Sequence, residues 1–325
     1  LFLIGHLDTV FEKEMAFAPY TYLNDSTITG QGVNDMKGGD VVVIAALQAL
    51  QAQKLLDNAT ITAYFTGDEE SAGKPTSVSR KDFIDRAKTH DVALAFETAV
   101  GLHTVATARR GASGWSLKTY GKTGHSSRVF SPEMGYGSIY EAARILNEFR
   151  EQLSSEKYLT FNPGMILGGA EIKYNEGKAN GSAVGKTNII SPETVVNGDL
   201  RFLTETQKNK AREVMKAIVA KNLTETKAEI SFSDGIPAME PTAANEQILA
   251  QLNQVSKDLG YGEVKAGDPG SRGAGDISYV AEYVACLDGL GASGKGAHAP
   301  GETLNIKELP ALIKRTAILI YRLTR

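Results

Sequence analysis

Leu1-Phe2-Leu3-Ile4 is an unbroken apolar run that stops at Gly5-His6-Leu7-Asp8. A strand with water on one face alternates apolar and polar residues. A strand without alternation is covered on both faces, as in a parallel sheet packed between helices. A further buried-strand candidate lies at residues 59–65, ahead of Gly67-Asp68-Glu69-Glu70, and an unbroken run returns at 92–96, ahead of Glu97. Apolar residues at helical spacing over 40–56 and 81–87 separate these runs. Strands alternating with helices predict an α/β fold with a mostly parallel central sheet flanked by helices. Ligand sites in such sheets gather beyond the carboxyl ends of the strands, where His6 and the acidic residues stand.

The pattern changes near Arg109-Arg110-Gly111. Residues 115–120 alternate, 135–153 read as a long helix, and 165–174 and 193–203 read as strands. An amphipathic helix over 204–221 and an alternating strand over 227–232 complete an α+β, two-layer segment. After Pro237 the α/β reading resumes, with a helix over 244–259, Asp276 as the N-cap of a further helix, a strand over 284–287 and a closing helix over 306–323. The expected organisation is one discontinuous domain, 1–110 and 235–325, with a second domain, 111–234, inserted in it.

Composition removes several function classes. A formal net charge of −3 gives no electrostatic reason to expect nucleic acid or an acidic membrane as partner. Cys286 is the single cysteine, so neither an intrachain disulfide nor a cysteine-rich zinc site can form. Its apolar neighbours predict a buried, inert thiol. No apolar stretch is long enough to span a membrane. The chain opens inside a strand, which predicts a truncated or processed chain. Any export signal would lie in the missing part, so cytoplasmic and periplasmic or secreted locations both stay open.

The strand ends carry the chemistry. His6 and Asp8, two residues apart, point to one side of a strand end. The pair suits a metal-ligating histidine whose ring is oriented by a carboxylate, or a strand-end histidine with a capping aspartate. Asp35, between Gly30-Gln31-Gly32 and Lys37-Gly38-Gly39, is a ligand candidate or a helix N-cap in a glycine-rich turn. The side chains of Glu69 and Glu70 diverge, so one can bind metal while the other acts as a base; the alternative is a solvated acidic loop. Glu97 ends the next strand, and His298 lies in the glycine-rich loop 294–301. Histidine with carboxylates and almost no cysteine is the ligand chemistry of a hydrolytic zinc site.

Gly-His-Leu-Asp-Thr-Val at 5–10, Gly-Val-Asn-Asp-Met-Lys-Gly-Gly at 32–39 and Gly-Asp-Glu-Glu-Ser-Ala-Gly at 67–73 occur in this order. Together they resemble the signatures of the di-zinc metallopeptidase family that contains acetylornithine deacetylase, succinyl-diaminopimelate desuccinylase, aminoacylase and the folate-hydrolysing glutamate carboxypeptidase. The likeness covers essentially the whole chain, without the family's first strands and helix. It implies two zinc ions per chain, with cobalt or manganese as substitutes. By this resemblance His6 and Glu97 complete one zinc site, Glu70 and His298 the other, Asp35 bridges both, and Glu69 is the general base. It also implies a cis peptide after Asp35. Glutamate at position 97 leans away from the aminopeptidases of the family.

The resemblance extends to the insert, which implies a homodimer built through a dimerisation (lid) domain. Gly124-His125-Ser126-Ser127 matches a position whose histidine reaches the partner's site and binds the developing oxyanion. Residue by residue, His125 otherwise reads as a plain loop histidine. Asn188 and Arg201 match an asparagine and an arginine that contact substrate in the folate-hydrolysing branch, the arginine through a terminal carboxylate. The alternative for Arg201 is a pair with an acidic neighbour in its sheet. Gly273 lies in the glycine-rich stretch 269–276, which lines the family's substrate pocket, with backbone donors at a helix start suited to an anion. Arg109-Arg110 read as surface charge, His103 as structural, His90 as solvated and Trp115 as core. The expected function is zinc-dependent cleavage of an amide or peptide bond beside a free carboxylate, closest to a glutamate carboxypeptidase. An N-acyl amino acid deacylase is the enzymatic alternative, and a binding protein on the same fold the non-enzymatic one.

Overall fold

The computed structural model describes residues 1–175 and 180–325. The chain forms two compact units, Leu1–Arg109 with Met239–Arg325, and Arg110–Ala238.

The first unit is built on a four-stranded sheet in the order Ala285–Leu287, Val92–Ala95, Phe2–His6, Thr62–Thr66, with every pairing parallel. The apolar runs explain it. Leu1, Leu3, Leu94 and Leu287 face one side, against the helices Gly38–Ala52, Ala243–Asp258 and Leu309–Leu323. Phe2, Ile4, Ala93, Ala95 and Cys286 face the other, against Phe83 and Ala87 of the helix Lys81–Ala87 and Ile277 and Val280 of the segment beyond. Burying a large side chain of this kind contributes about 1.5–3 kcal/mol, so both faces need a cover. The strand Phe2–His6 is central, and its last residue reaches the carboxyl edge of the sheet beside Thr66.

A second sheet of four short strands was not foreseen. Its order is Gly294–Lys295, Thr303–Asn305, Thr27–Thr29, Thr21–Asn24, all antiparallel. It joins the chain just before Asp35 to the loop that carries His298. Two other expectations change. The helix read over 40–56 spans Gly38–Ala52, ending in a turn with Lys54 at φ 55°. Asp276 caps no helix: Asp276–Tyr279 is a single 3-10 turn, and the Asp276 side chain is turned inward.

The inserted unit is a four-stranded antiparallel sheet, in the order Thr226–Asp234, Gly111–Gly121, Glu193–Phe202, Thr160–Gly169. The helices Gly137–Leu153 and Glu205–Val219 cover one face, where Trp115, Leu117, Ile145, Phe149, Leu200 and Met215 form the core. The single strand read over 165–174 is two, Thr160–Gly169 and Glu171–Asn175. The chain turns after Gly168-Gly169, where a Cβ on Gly169 would sit 2.7 Å from the Val184 carbonyl oxygen. The return to the first unit falls at Ala238/Met239. The Ala112 N–H still donates to the Ile236 carbonyl (2.8 Å), whereas Arg109 and Met239 exchange both backbone hydrogen bonds (2.9 and 3.0 Å).

Candidate active site

His6 ends the central strand with 1% of its surface exposed. Its Nδ1 lies 3.1 Å from the Asp8 carbonyl oxygen, which can only accept, so that nitrogen carries a proton. The other nitrogen, Nε2, points at Asp35 Oδ1 (3.3 Å) and Glu97 Oε1 (3.8 Å). The Asp8 carboxylate is 3.5 Å from the ring. Its two oxygens accept the N–H groups of Glu69 (3.1 Å) and Glu70 (3.0 Å). Asp8 therefore orients His6 chiefly through its main chain, and its side chain shapes the Glu69-Glu70 turn.

Asp35 sits in an irregular turn ahead of the helix Gly38–Ala52, and its peptide bond to Met36 is cis. The helix start can come this close to the sheet because Gly39 has no side chain; a Cβ there would lie 1.9 Å from the Phe96 carbonyl oxygen. The second oxygen of Asp35, Oδ2, faces His298 Nε2 at 3.1 Å, and the same nitrogen faces Glu70 Oε2 at 3.3 Å. His298 has φ 65°, a left-handed backbone that is uncommon outside glycine.

These side chains form three overlapping groups whose potential ligand atoms lie within 4.8 Å of one another: His6, Asp35 and Glu97; Asp35, Glu70 and His298; His6, Glu69 and Glu70. Asp35 belongs to the first two. Each of those two offers one imidazole nitrogen and carboxylate oxygens, the donor set that zinc, cobalt or manganese accepts. The titrations fit a site short of positive charge. For His6, burial works against the charged ring, but the hydrogen bond to Asp35 and the charges of Glu97, Glu69 and Asp35 push its pKa up to about 10. Burial, with Asp288, Glu69 and Asp35, raises Glu97 to about 8 against the opposing Arg109. Burial, with Asp276 and Glu70, raises Glu69 to about 7. Divalent ions would replace these protons.

Support comes from residues that the strand-end motifs did not announce. Arg80, 1% exposed, donates from Nε to Asp276 Oδ1 (2.9 Å) and from Nη2 to the Asp68 carbonyl (2.8 Å); Thr66 Oγ1 donates to Asp276 Oδ2 (2.7 Å). Arg109 is not surface charge. It is 7% exposed, pairs with Asp288 at 2.5 Å, and donates to the carbonyls of Gly273 (2.7 Å) and Ala274 (2.9 Å). The glycine-rich loop thus presents carbonyls to a buried guanidinium and leads into a single turn, so the expected helix-start anion site is absent among the described residues. Gly273 borders open space, with no atom within 4 Å of an added Cβ.

His125, Asn188 and Arg201 lie in the inserted unit. The first two are neighbours: the Ser126 N–H donates to the Asn188 carbonyl (2.9 Å), while His125 Nδ1 faces Ser127 Oγ (2.9 Å). Arg201, on the strand Glu193–Phe202, donates from Nε to Asp199 Oδ2 (2.7 Å), the in-sheet acidic pair weighed above. His103 is bonded to the Glu263 carbonyl (3.0 Å), Trp115 is core, and His90 is bonded to Thr62 Oγ1 (3.0 Å) and packed 5.4 Å from the Phe2 ring.

A sequence profile described as Peptidase family M20/M25/M40 matches residues 2–322. Carboxypeptidase G2 of Pseudomonas sp. (strain RS-16) is 26% identical over 333 residues, covering 99% of this chain and 74% of that protein. The aminopeptidase PepT of Bacillus cereus ATCC 10987 shares the fold with a TM-score of 0.77 at 18% identity, over 100% of this chain and 80% of that one. So does the YXEP protein of Bacillus subtilis, described as a dinuclear metal binding peptidase of the M20 family, with a TM-score of 0.67 at 14% identity over 100% and 81%. Among the described residues no helix is long and apolar enough to cross a membrane.

Proposed function

From the premise that this chain belongs to peptidase family M20/M25/M40, and so is a metallopeptidase or amidohydrolase, we propose that it hydrolyses an amide bond beside a free carboxylate at a two-zinc centre. The observation that carries the reading is Asp35, shared by two histidine-and-carboxylate groups with Glu69 alongside. His6 and Glu97 would hold one ion, Glu70 and His298 the other, and Asp35 both. Bound there, the ions would supply Lewis acidity, lowering the pKa of a water and polarising the scissile carbonyl; cobalt or manganese could substitute.

The remaining work falls to the chain. Glu69 takes the proton of the attacking water and returns it to the leaving amine. Asp8 keeps Glu69 and Glu70 apart by holding their two N–H groups. His125 donates a hydrogen bond to the oxyanion from a second copy of the chain. Asn188 and Arg201 hold the free carboxylate, the Asp199 pair orienting the guanidinium fork. Gly273 borders the substrate. A homodimer is supported by the outer strand Thr160–Gly169 of the inserted sheet, which leaves Ile166 exposed, and by Ile139 and Tyr140, exposed on the helix Gly137–Leu153. Among the described residues no further strand pairs with that strand's outer edge, and an open edge with apolar neighbours invites pairing with a like edge.

The preferred substrate has a C-terminal glutamate, a reading that rests on the motif resemblance to the folate-hydrolysing glutamate carboxypeptidases and on the Asn188/Arg201 pair, while the likeness to carboxypeptidase G2 supports only the carboxypeptidase part. Arg201 suits N-acyl amino acids equally, because they carry the same α-carboxylate. Hydrolysis of C-terminal-glutamate dipeptides, folyl-glutamate and N-acetyl amino acids, with and without added zinc, decides. Zinc-dependent release of glutamate supports the carboxypeptidase reading. Turnover of acetylated substrates alone replaces it with the deacylase.

A further inference from the structure

We propose that Glu302 is a positioning residue that sets Asp35 between His6 and His298; the consequence drawn for metal rests on the two-metal reading above. Glu302 is 1% exposed and precedes the strand Thr303–Asn305. One carboxylate oxygen accepts the Gly32 N–H (2.9 Å); the other accepts the N–H groups of Asn34 (2.8 Å) and Asp35 itself (2.7 Å). Its backbone carbonyl accepts from the Gly30 N–H (3.2 Å) and Thr29 Oγ1 (2.7 Å). Both the start and the end of the turn are therefore tied to one residue.

The turn is shaped for an anion. Gly32 has φ 71°, and the amides that follow converge in a concavity of the kind that binds anions. Here the anion is a side chain of the same chain. A carboxylate can accept at both oxygens, whereas a carboxamide would turn its NH₂ toward one of these N–H donors. Position adds a second reason. Glu302 follows the loop that carries His298, and His298 Nε2 faces Asp35 Oδ2 at 3.1 Å. One carboxylate thus joins the loop bearing one ligand candidate to the turn bearing the other. Since Asp35 belongs to both groups, a displaced turn disturbs both.

The test is a Co²⁺ titration of metal-free wild-type protein, Glu302→Gln and Glu302→Asp, followed by visible absorption, whose bands report the geometry around the ion. Glu302→Gln removes the charge and one acceptor. Glu302→Asp keeps the charge and shortens the reach. Wild type should take up two ions per chain; both variants should bind about ten- to a hundred-fold more weakly with altered bands. Trp115→Phe, in the core of the inserted unit, should lower Tm without changing cobalt affinity or spectrum. If both Glu302 variants keep wild-type cobalt affinity and spectrum, whatever their Tm, the residue only seals the fold and the proposal is overturned. If Glu302→Gln does not fold, Glu302→Asp decides in the same way. Wild-type protein that binds no cobalt overturns the metal reading and this role with it.

Discussion

Two groups of acids share the first unit, one buried and one partly buried, and are balanced in opposite ways. Asp276 and Asp288 each have an arginine against them, Arg80 and Arg109, and those guanidiniums also satisfy nearby carbonyls. Among the described residues the strand-end group of Asp35, Glu69, Glu70 and Glu97 is faced directly by His6 and His298, feels Arg109 only through space, and has part of its charge suppressed by bound protons. Burying carboxylates without a cation is expensive. Two acids are balanced with arginine and four beside them are left chiefly to histidines and protons, an imbalance that supports the proposed cation site. The arginine pairs hold the architecture, and the strand-end group fits the proposed metal chemistry.

The sharpest way to break that contrast is Glu69→Gln. If Glu69 belongs to the chemical group, its loss should lower turnover by about 10²–10⁴-fold and leave metal content unchanged, with little effect on the melt. Steady-state kinetics beside metal analysis by mass spectrometry reads both. Near-normal turnover would remove Glu69 from the mechanism.

Arg80→Met attacks the other side. It leaves Asp276, 4% exposed, without its cation. Removing one partner of a buried ion pair typically costs about 3–5 kcal/mol, so denaturant melts of the metal-free variant should show a loss of that order. Asp35→Asn in metal-free protein should cost less, because its buried partner His6 can release its proton when the charge is removed, whereas an arginine cannot. Equal losses from the two substitutions would erase the distinction.

Why the two groups differed in legibility follows from how each is wired. His6 and Glu97 follow unbroken apolar runs, and Glu69 and Glu70 follow a strand-like run interrupted by Thr60 and Thr62, so their positions at one edge of a parallel sheet could be read from local pattern. The parallel sheet itself was legible for the same reason, since Leu3 and Phe2 had to be covered on opposite faces. Arg80 meets Asp276 across 196 residues, and Arg109 meets Asp288 across 179. No local period announces a partner that far away, so Arg109 read as surface charge and Asp276 as a cap. Glu302 was illegible for a further reason. Its partners are backbone amides 267 to 270 residues away, which carry no side-chain signature.

The protons held by the strand-end group give the contrast a pH signature. In the metal-free fold His6 is raised to about 10 from an ordinary 6.5, so the stability it contributes is complete below 6.5 and is lost as pH rises through 10. Glu97, raised to about 8, and Glu69, to about 7, act in the same direction from an ordinary 4.5: the fold favours their neutral forms and loses that advantage as they charge. Across this window the folded chain holds more protons than the unfolded one, so stability falls with rising pH. Melts of chelator-treated protein should be lower at pH 9 than at pH 6, by about the same trend at each step between. Saturating zinc should flatten the trend, because ions take the place of the protons. A flat profile without metal would mean that the strand-end acids are balanced by something other than protons.

The smallest effect serves as the scale for the others. Arg86 pairs with Asp82 one helical turn away (2.8 Å), and both side chains are more than half exposed. The pair resembles Arg80 and Asp276 in composition and distance and differs in access to water. Water screens both charges before and after the partner is removed, and holding two long side chains in register consumes most of the attraction. Arg86→Ala should therefore leave Tm and cobalt uptake where they were. If it lowered Tm as far as Arg80→Met, proximity alone would decide the worth of an ion pair here, and burial would no longer explain why Asp276 needs its arginine while Asp35 does without one.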